Sequence, residues 1–340
     1  MPKHTNQIFV LGATGFVGSE VVKEAGRQGL PVKALVRDPG RAGDLAATGA
    51  ELIPGDATVP ETWIRSVTGC RVLIDLVQPK LPRRLGLRGI RAIAARRLSV
   101  MTSLLQQMDR IPAGERPLLI SVSGLDDLMP DAQGVVRANS PLRAKPAGFG
   151  HIGIPVRHVV EQSQTPRTFV YLGTVYGPGK SFETTIFPQI ARGAFRLPGG
   201  GGNRMPLVHV EDAARALVHL ATLPAVALDG RSFVVADGSN ATFREFCNHS
   251  ARLLGAKAPG AVPRWLASFI LGSVLCETLT SDIGADPFSL TSSGFAFRYP
   301  SFVEGLPPTL ARLGYALQES AQSTTPSADI PVRNRAESGV

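Results

Sequence analysis

Residues 11–22 read LGATGFVGSEVV and follow the apolar run IFV at 8–10. Glycines at 12, 15 and 18 thus stop a run of β-branched and large apolar residues. They open a segment, GSEVVKEAGRQG at 18–29, whose apolar spacing is helical and which ends in glycine. A strand that passes through spaced glycines into a helix suits a dinucleotide. The first glycine permits the tight turn, the next lets backbone N–H groups approach a pyrophosphate, and the helix N-terminus adds its positive end. Gly12, Ala13, Thr14, Gly15, Phe16 and Val17 are therefore expected to bind a cofactor.

Working outward, VKALVR (32–37), AELIPGD (50–56), CRVLIDLV (70–77), RPLLISVSG (116–124), RTFVYLG (167–173) and RSFVVAD (231–237) read as further strands. Helical patterns such as GIRAIAARRLSVMTSLLQQM (89–108) lie between them. This alternation predicts an α/β fold, a Rossmann-like doubly wound parallel sheet with a smaller C-terminal substrate lobe. The pattern changes after Pro178, with long loops such as PGGGGNRMP (198–206) and a capping-box TFRE (242–245) ahead of FCNHSARLLGA. Residues 1–177 are assigned mainly to the NAD(P)-binding domain and 178–317 mainly to the substrate lobe with returning strands. Residues 318–340, with little to bury, are expected to be a disordered tail.

The 340 residues, 44% hydrophobic and 19% charged, suffice for a sizeable core. No apolar stretch of signal-peptide length precedes the glycines, so the expectation is a cytoplasmic, unprocessed protein. The longest apolar stretch, Trp265 to Cys276, is about half of the roughly 20 residues a bilayer requires, so no transmembrane segment is expected. Its helix is expected to cap a pocket for a small, partly apolar molecule rather than to touch a membrane. Cys70, Cys247 and Cys276 lack metal-ligand spacing and read as reduced core thiols, with no metal site. The net charge is +9, and Arg83, Arg84, Arg88, Arg91, Arg96 and Arg97 crowd one stretch. Without interleaved aromatics or a recognition module, that stretch reads as a solvated face or an attractor of phosphorylated or carboxylated small molecules, with no nucleic acid.

At the end of the second strand an acidic residue would hold a ribose 2′-hydroxyl. Arg37 stands there instead, with Arg41 close behind, and a guanidinium meets a 2′-phosphate in bidentate fashion. NADP is favoured; Asp38 keeps NAD open.

VLGATGFVG (10–18), PGD (54–56), VLIDLV (72–77), TVYGPG (174–179) and LVHVEDAA (207–214) form an ordered set. With it the chain resembles the short-chain dehydrogenase/reductase superfamily over roughly residues 7–315, in its extended and atypical NAD(P)-dependent epimerase/dehydratase branch. The resemblance implies that Asp56 accepts from the adenine amino group with Ala57 beside it, and that Leu76 and Val77 line the nicotinamide side.

Members of this superfamily use a tyrosine as acid or base, a lysine four residues later on the same helix, and a serine from the fifth strand. Ser123 in ISVSG (120–124) matches the serine, and Ser121 matches it less well. Tyr176 and Lys180 have the spacing, but the intervening glycines and Pro178 make a turn rather than a helix. The catalytic helix is expected at IPVRHVVE (154–161). Aligning Glu161 with the family's glutamate puts Arg157 at the lysine position and Gly153 at the tyrosine position, so both catalytic residues are replaced. Arg157 cannot donate a proton at neutral pH yet can hydrogen-bond a ribose.

His151, two residues before the vacated position, is the candidate acid, against the alternative of a histidine satisfied by backbone or exposed on a loop. His158 and His209 are weaker candidates, and the family residue at His209 mainly packs. The segments RWLASFILGSVL (264–275) and GFAFRYPSFVEGL (294–306) are similar to a sugar-epimerase-like group that often lacks the same pair. The resemblance implies an NADP-dependent oxidoreductase or epimerase. Two alternatives stay open: a non-redox cyclase, isomerase or lyase on the same fold, and a non-catalytic NADP-binding regulator or assembly factor. Homodimerisation is also left open, since members of this superfamily often dimerise.

Overall fold

The computed structural model describes residues 6–179 and 181–318. The expected disordered tail, apart from Gln318, lies outside the described residues. Seven strands form the central sheet: β1 (Ile8–Leu11), β2 (Val32–Val36), β3 (Glu51–Pro54), β4 (Val72–Asp75), β5 (Leu118–Gly124), β6 (Arg167–Leu172) and β7 (Ser232–Val235). Every pairing is parallel, and the order across the sheet is β7-β6-β5-β4-β1-β2-β3. The chain leaves β1 toward β2 on one side and returns to β4 on the other. The crevice beyond the carboxyl ends of β1 and β4 is therefore the topological switch point, where sheets of this kind bind ligands.

Alternate residues of each strand point to opposite faces. Ile8 and Val10 of β1, with Val72 and Ile74 of β4, pack against helices α1 (Phe16–Arg27) and α4 (Val210–Thr222). Phe9, Leu11 and Leu73 pack on the other face against α2 (Leu87–Met108) and α3 (Gly150–Gln162). Both faces are covered, so β1 is apolar throughout and the strands beside it are mostly apolar, as a buried parallel sheet requires. On α2 the buried positions Ile90, Ala94, Arg97, Met101, Leu104, Leu105 and Met108 fall at helical spacing.

The second half adds α5 (Phe243–Leu253), α6 (Arg264–Leu271), α7 (Ser273–Thr280) and α8 (Phe302–Arg312). The capping box read at 242–245 is present: Thr242 Oγ1 accepts from the Glu245 N–H, and the Glu245 carboxylate accepts from the Thr242 N–H. An aromatic cluster of Tyr176, Phe182, Phe187, Phe246 and Phe302 binds this lobe together. Cys70, Cys247 and Cys276 are buried thiols. No described helix is long and apolar enough to cross a membrane, and the described residues contain no cluster able to hold a metal ion.

The stretch 265–276 departs from expectation. Gly272, at φ 86°, breaks it into α6 and α7, because a side chain there would meet the Leu85 backbone. Only Ala267 of α6 is buried, whereas Trp265, Phe269 and Ile270 are 72%, 70% and 57% exposed. Helix α6 thus turns its aromatic face to solvent instead of closing over a pocket. A helix made almost wholly of apolar residues carries no pattern that says which face is inward.

Candidate active site

The glycine turn owes its shape to close backbone packing. Gly12 has φ 74°, and a Cβ there would lie 2.6 Å from the Leu76 carbonyl oxygen. Gly15 donates its N–H to the Gly12 carbonyl at 2.8 Å and forms the N-terminal boundary of α1. A side chain at Gly18 would collide with the same Gly12 carbonyl. All three positions thus exclude side chains and leave backbone at the mouth of a helix.

This turn forms one wall of a cleft of about 900 Å³. Gly12, Thr14, Gly15, Phe16, Arg37, Asp56, Ala57, Leu76 and Val77, all named from the sequence, line it. Ala13 and Val17 instead face the core, and Arg41, in the short 3-10 turn Pro39–Arg41, is exposed outside the lining. The sequence reading missed Thr58 and the Gln78–Leu81 wall. Asp56 Oδ1 accepts from both the N–H and the hydroxyl of Thr58, each at 2.8 Å. These bonds hold its carboxyl below the usual range, with Arg37 adding to the effect. Arg37 follows β2 directly, whereas the neighbouring Asp38 carboxylate turns back to accept from the Gly40 N–H at 3.1 Å. The side-chain-free cradle and the cation beside it fit a nicotinamide dinucleotide.

Ser123 lies at the end of β5. Asp75 of β4 pairs with Ser121, so two residues further on Val77 and Ser123 stand at adjacent strand ends. Ser123 Oγ donates to Asp127 Oδ2 at 2.6 Å. Asp127 belongs to the short 3-10 turn Leu125–Asp127 and is 1% exposed. Burial pushes its carboxyl up to about 7; the bond from Ser123 and the charge of Arg157 pull it down, and the neighbouring Asp126 raises it. Asp126 is also raised by burial, while it accepts from the Phe149 N–H at 2.9 Å and from Thr278 Oγ1 at 3.3 Å.

Gly153 explains why the carboxylate fits. It is buried on α3, and a Cβ built there would collide with both Asp127 carboxylate oxygens and with Ser123 Oγ. Where the family resemblance places a tyrosine, the chain has a glycine, and the Ser123–Asp127 pair fills the space. Asp127 was not foreseen. The one signal available was the vacancy at Gly153 near an acidic pair in the loop after ISVSG.

The Arg157 donors go to Glu161 at 2.7 Å, Tyr171 Oη at 2.5 Å and Ser232 Oγ at 3.3 Å, with its guanidinium over the Phe169 ring. Those contacts turn Arg157 toward β6 and β7; like Ser123 and Asp127, it is not among the residues that line the 900 Å³ cleft. His151 is half-buried in the first turn of α3, and His158 is exposed. His209 is buried: its Nδ1 accepts from the Glu211 N–H at 3.2 Å and its Nε2 pairs with Thr309 Oγ1 at 3.0 Å. Burial lowers it to about 4, so it packs as a neutral ring against Tyr176 and Tyr299. Tyr176 ends a short strand, Thr174–Tyr176, is fully buried, and is followed by Gly177 and Gly179 at positive φ. Lys180 lies outside the described residues.

Comparison with known proteins places these features in context. A profile described as NAD(P)H-binding matches residues 12–141, and one for the NAD dependent epimerase/dehydratase family matches 154–236. The chain is 28% identical over 323 residues to a 3-diazoavenalumate denitrifying reductase from a Streptomyces species, covering 88% of this chain and 99% of that one. A human epimerase family protein solved with NADPH superposes with a TM-score of 0.74 at 19% identity, over 90% of this chain and 99% of that one. UDP-glucuronic acid 4-epimerase from Bacillus cereus, solved with UDP-glucuronic acid and NAD, gives 0.72 at 15% identity, over 91% and 99%. With the seven-stranded parallel sheet and the glycine turn at its switch point, these matches show an NAD(P)H-binding domain followed by a domain of the NAD dependent epimerase/dehydratase family, on a fold consistent with an atypical extended short-chain dehydrogenase/reductase.

Proposed function

We propose that the protein is an NADP-dependent reductase of a small molecule, with Ser123 and Asp127 supplying the proton that a tyrosine supplies in related enzymes. The observation that carries this reading is the Ser123–Asp127 bond in the space beside Gly153. Similarity to a reductase over nearly the full length of both chains supports the reaction class. Arg37 in the cleft lining supports NADP over NAD, as does Asp38, which lies outside that lining and accepts from the Gly40 N–H.

A reduced nicotinamide, when bound, supplies a hydride to the substrate's electrophilic atom. The chain's own residues handle the proton. With Asp127 protonated, its O–H donates to Ser123 Oγ, and the serine hydrogen faces the substrate. As charge develops on the substrate oxygen or nitrogen, Ser123 gives up its proton and takes one from Asp127, which is left as a carboxylate. A carboxyl at about 7 holds its proton for part of the time near neutrality, as a general acid needs. Gly12, Gly15 and the start of α1 hold the phosphates, Arg37 the additional phosphate, and Leu76 and Val77 exclude water at the far end.

The test is NADPH consumption against a panel of carbonyl and diazo compounds, with wild type and Asp127→Asn. Wild-type kcat/KM should fall as pH rises through about 7, and Asp127→Asn should lose about 10²- to 10⁴-fold and the pH step with it. A variant with the wild-type profile would overturn the proton assignment. Product formation with no cofactor consumed would overturn the reductase reading.

A further inference from the structure

Helix α6 carries Trp265, Phe269 and Ile270 into solvent, and the neighbouring Leu81 and Leu87 are exposed as well. These side chains form one surface because α6 is tied to the segment that leads into α2. The Leu85 N–H donates to the Leu271 carbonyl at 2.7 Å, the Val274 N–H donates to the Leu85 carbonyl at 3.0 Å, and the Arg84 guanidinium lies 5.4 Å above the Phe269 ring. A cluster of Leu85, Ile90, Ala94, Ile152 and Val274 anchors the whole patch on α2 and α3.

The charge around this patch has one sign. From residue 76 through residue 108 the chain holds seven cations and no acidic residue; Arg97 is buried and paired with Asp75, which leaves six for the surface, and residues 264–275 hold Arg264 and no acidic residue. Arg83, Arg84, Arg88, Arg91 and Arg96 are exposed, and none of them joins an ion pair among the described residues. The carboxylate that follows in sequence, Glu277, is committed to the Gly148 N–H at 2.9 Å. An aromatic and aliphatic face bordered by unpaired arginines is complementary to an anionic lipid surface, which takes apolar side chains at the headgroup boundary and attracts the cations around them.

We infer that α6 and the Leu81–Leu87 segment dock the protein on an anionic phospholipid bilayer, with Trp265, Phe269 and Ile270 inserted at the interface and Arg84, Arg88 and Arg91 on the headgroups. Lys80 and Leu81 also line the cofactor cleft, so the docked face adjoins its mouth. The inference is independent of the reductase reading, since it concerns binding alone.

The chain carries its own probe: of its two tryptophans, Trp63 is buried and Trp265 is exposed. The full chain is mixed with vesicles of phosphatidylcholine alone or with added phosphatidylglycerol, and cosedimentation and tryptophan emission are followed. The expected result is binding only to the anionic vesicles, a blue shift of emission on binding, and weakening by salt. Trp265→Ser with Phe269→Ser, and separately Arg84→Gln with Arg88→Gln and Arg91→Gln, should each lower the vesicle partition coefficient by at least about tenfold. Far-ultraviolet circular dichroism should be unchanged in both variants. Three results would overturn the inference. One is a wild type that stays in the supernatant, and another is variants that bind like it. The third is a wild-type dimer in sedimentation velocity that the Trp265→Ser, Phe269→Ser variant turns into monomer, which would make the patch a contact between two copies.

Discussion

Gly12 and Leu76 touch through their backbones: the glycine, at φ 74°, leaves room for the Leu76 carbonyl and for nothing more than a hydrogen on its own Cα. Because both residues line the cleft, the contact fixes the turn against the far end of the site. Gly12→Ala should therefore cost more than the about 1–2 kcal/mol of a left-handed backbone alone. It should also weaken NADPH binding by at least about tenfold, as the turn moves away from its phosphate-binding shape. Thermal denaturation and a fluorescence titration with NADPH read the two effects separately.

Arg37 should set the choice between cofactors. A charge-assisted hydrogen bond to a phosphate is worth about 1.5–3 kcal/mol. Arg37→Asp should thus weaken NADPH by about 10- to 100-fold and leave NADH unchanged or improved. The ratio of the two dissociation constants measures it, and equal losses for both cofactors would remove Arg37 from recognition.

Gly153 reverses an ordinary rule. Replacing a mid-helix glycine by alanine stabilises a helix by about 0.5–1 kcal/mol. Here the added methyl meets the Asp127 carboxylate and the Ser123 hydroxyl, so Gly153→Ala should destabilise by about 1–3 kcal/mol instead. In an Asp127→Ala background the same change should cost clearly less, and urea unfolding of the four chains of this double-mutant cycle gives the coupling.

Asp127 should also make stability depend on pH. Its carboxyl sits at about 7 in the fold, above the usual Asp value of 3.8. A carboxyl raised in this way binds its proton more tightly when folded. Below about pH 4 both states are protonated and burial of the group costs nothing in charge. Between about pH 4 and about pH 7 the unfolded state ionises first, so stability is lost as pH rises. The full difference is on the order of 4 kcal/mol. Asp127→Asn should match the wild type at the acid end and exceed it progressively up to pH 8 in urea midpoints. A constant gap across that range would contradict the raised carboxyl.

Much of this was legible because it is local. The apolar runs of β1 and β4 and the glycines of the turn state their geometry in neighbouring residues, and Arg37 follows from the strand that ends before it. Asp127 is different. Its partner Ser123 is four residues away, but the vacancy at Gly153 that admits its carboxylate meets the pair only when α3 packs across the end of β5. A glycine at the position where the resemblance implies a tyrosine was visible, but the packing of Asp127 against it depends on a contact between residues 26 apart in sequence. Arg157 is similar: the resemblance puts it at a lysine position, while Phe169 and Tyr171 of β6 and Ser232 of β7 decide where its guanidinium lies. On α6 the apolar residues run all the way round the helix, so burial was decided by Leu85 and Leu271 rather than by pattern.

The buried sulfurs give the molecule a built-in clock. Cys70 and Cys247 titrate well above the ordinary thiol, Cys70 at about 11, because the interior disfavours a thiolate. An alkylating reagent meets them only in chains that have opened. The pace of alkylation thus counts opening events under native conditions, and NADPH should slow it by as much as the ligand stabilises the closed chain.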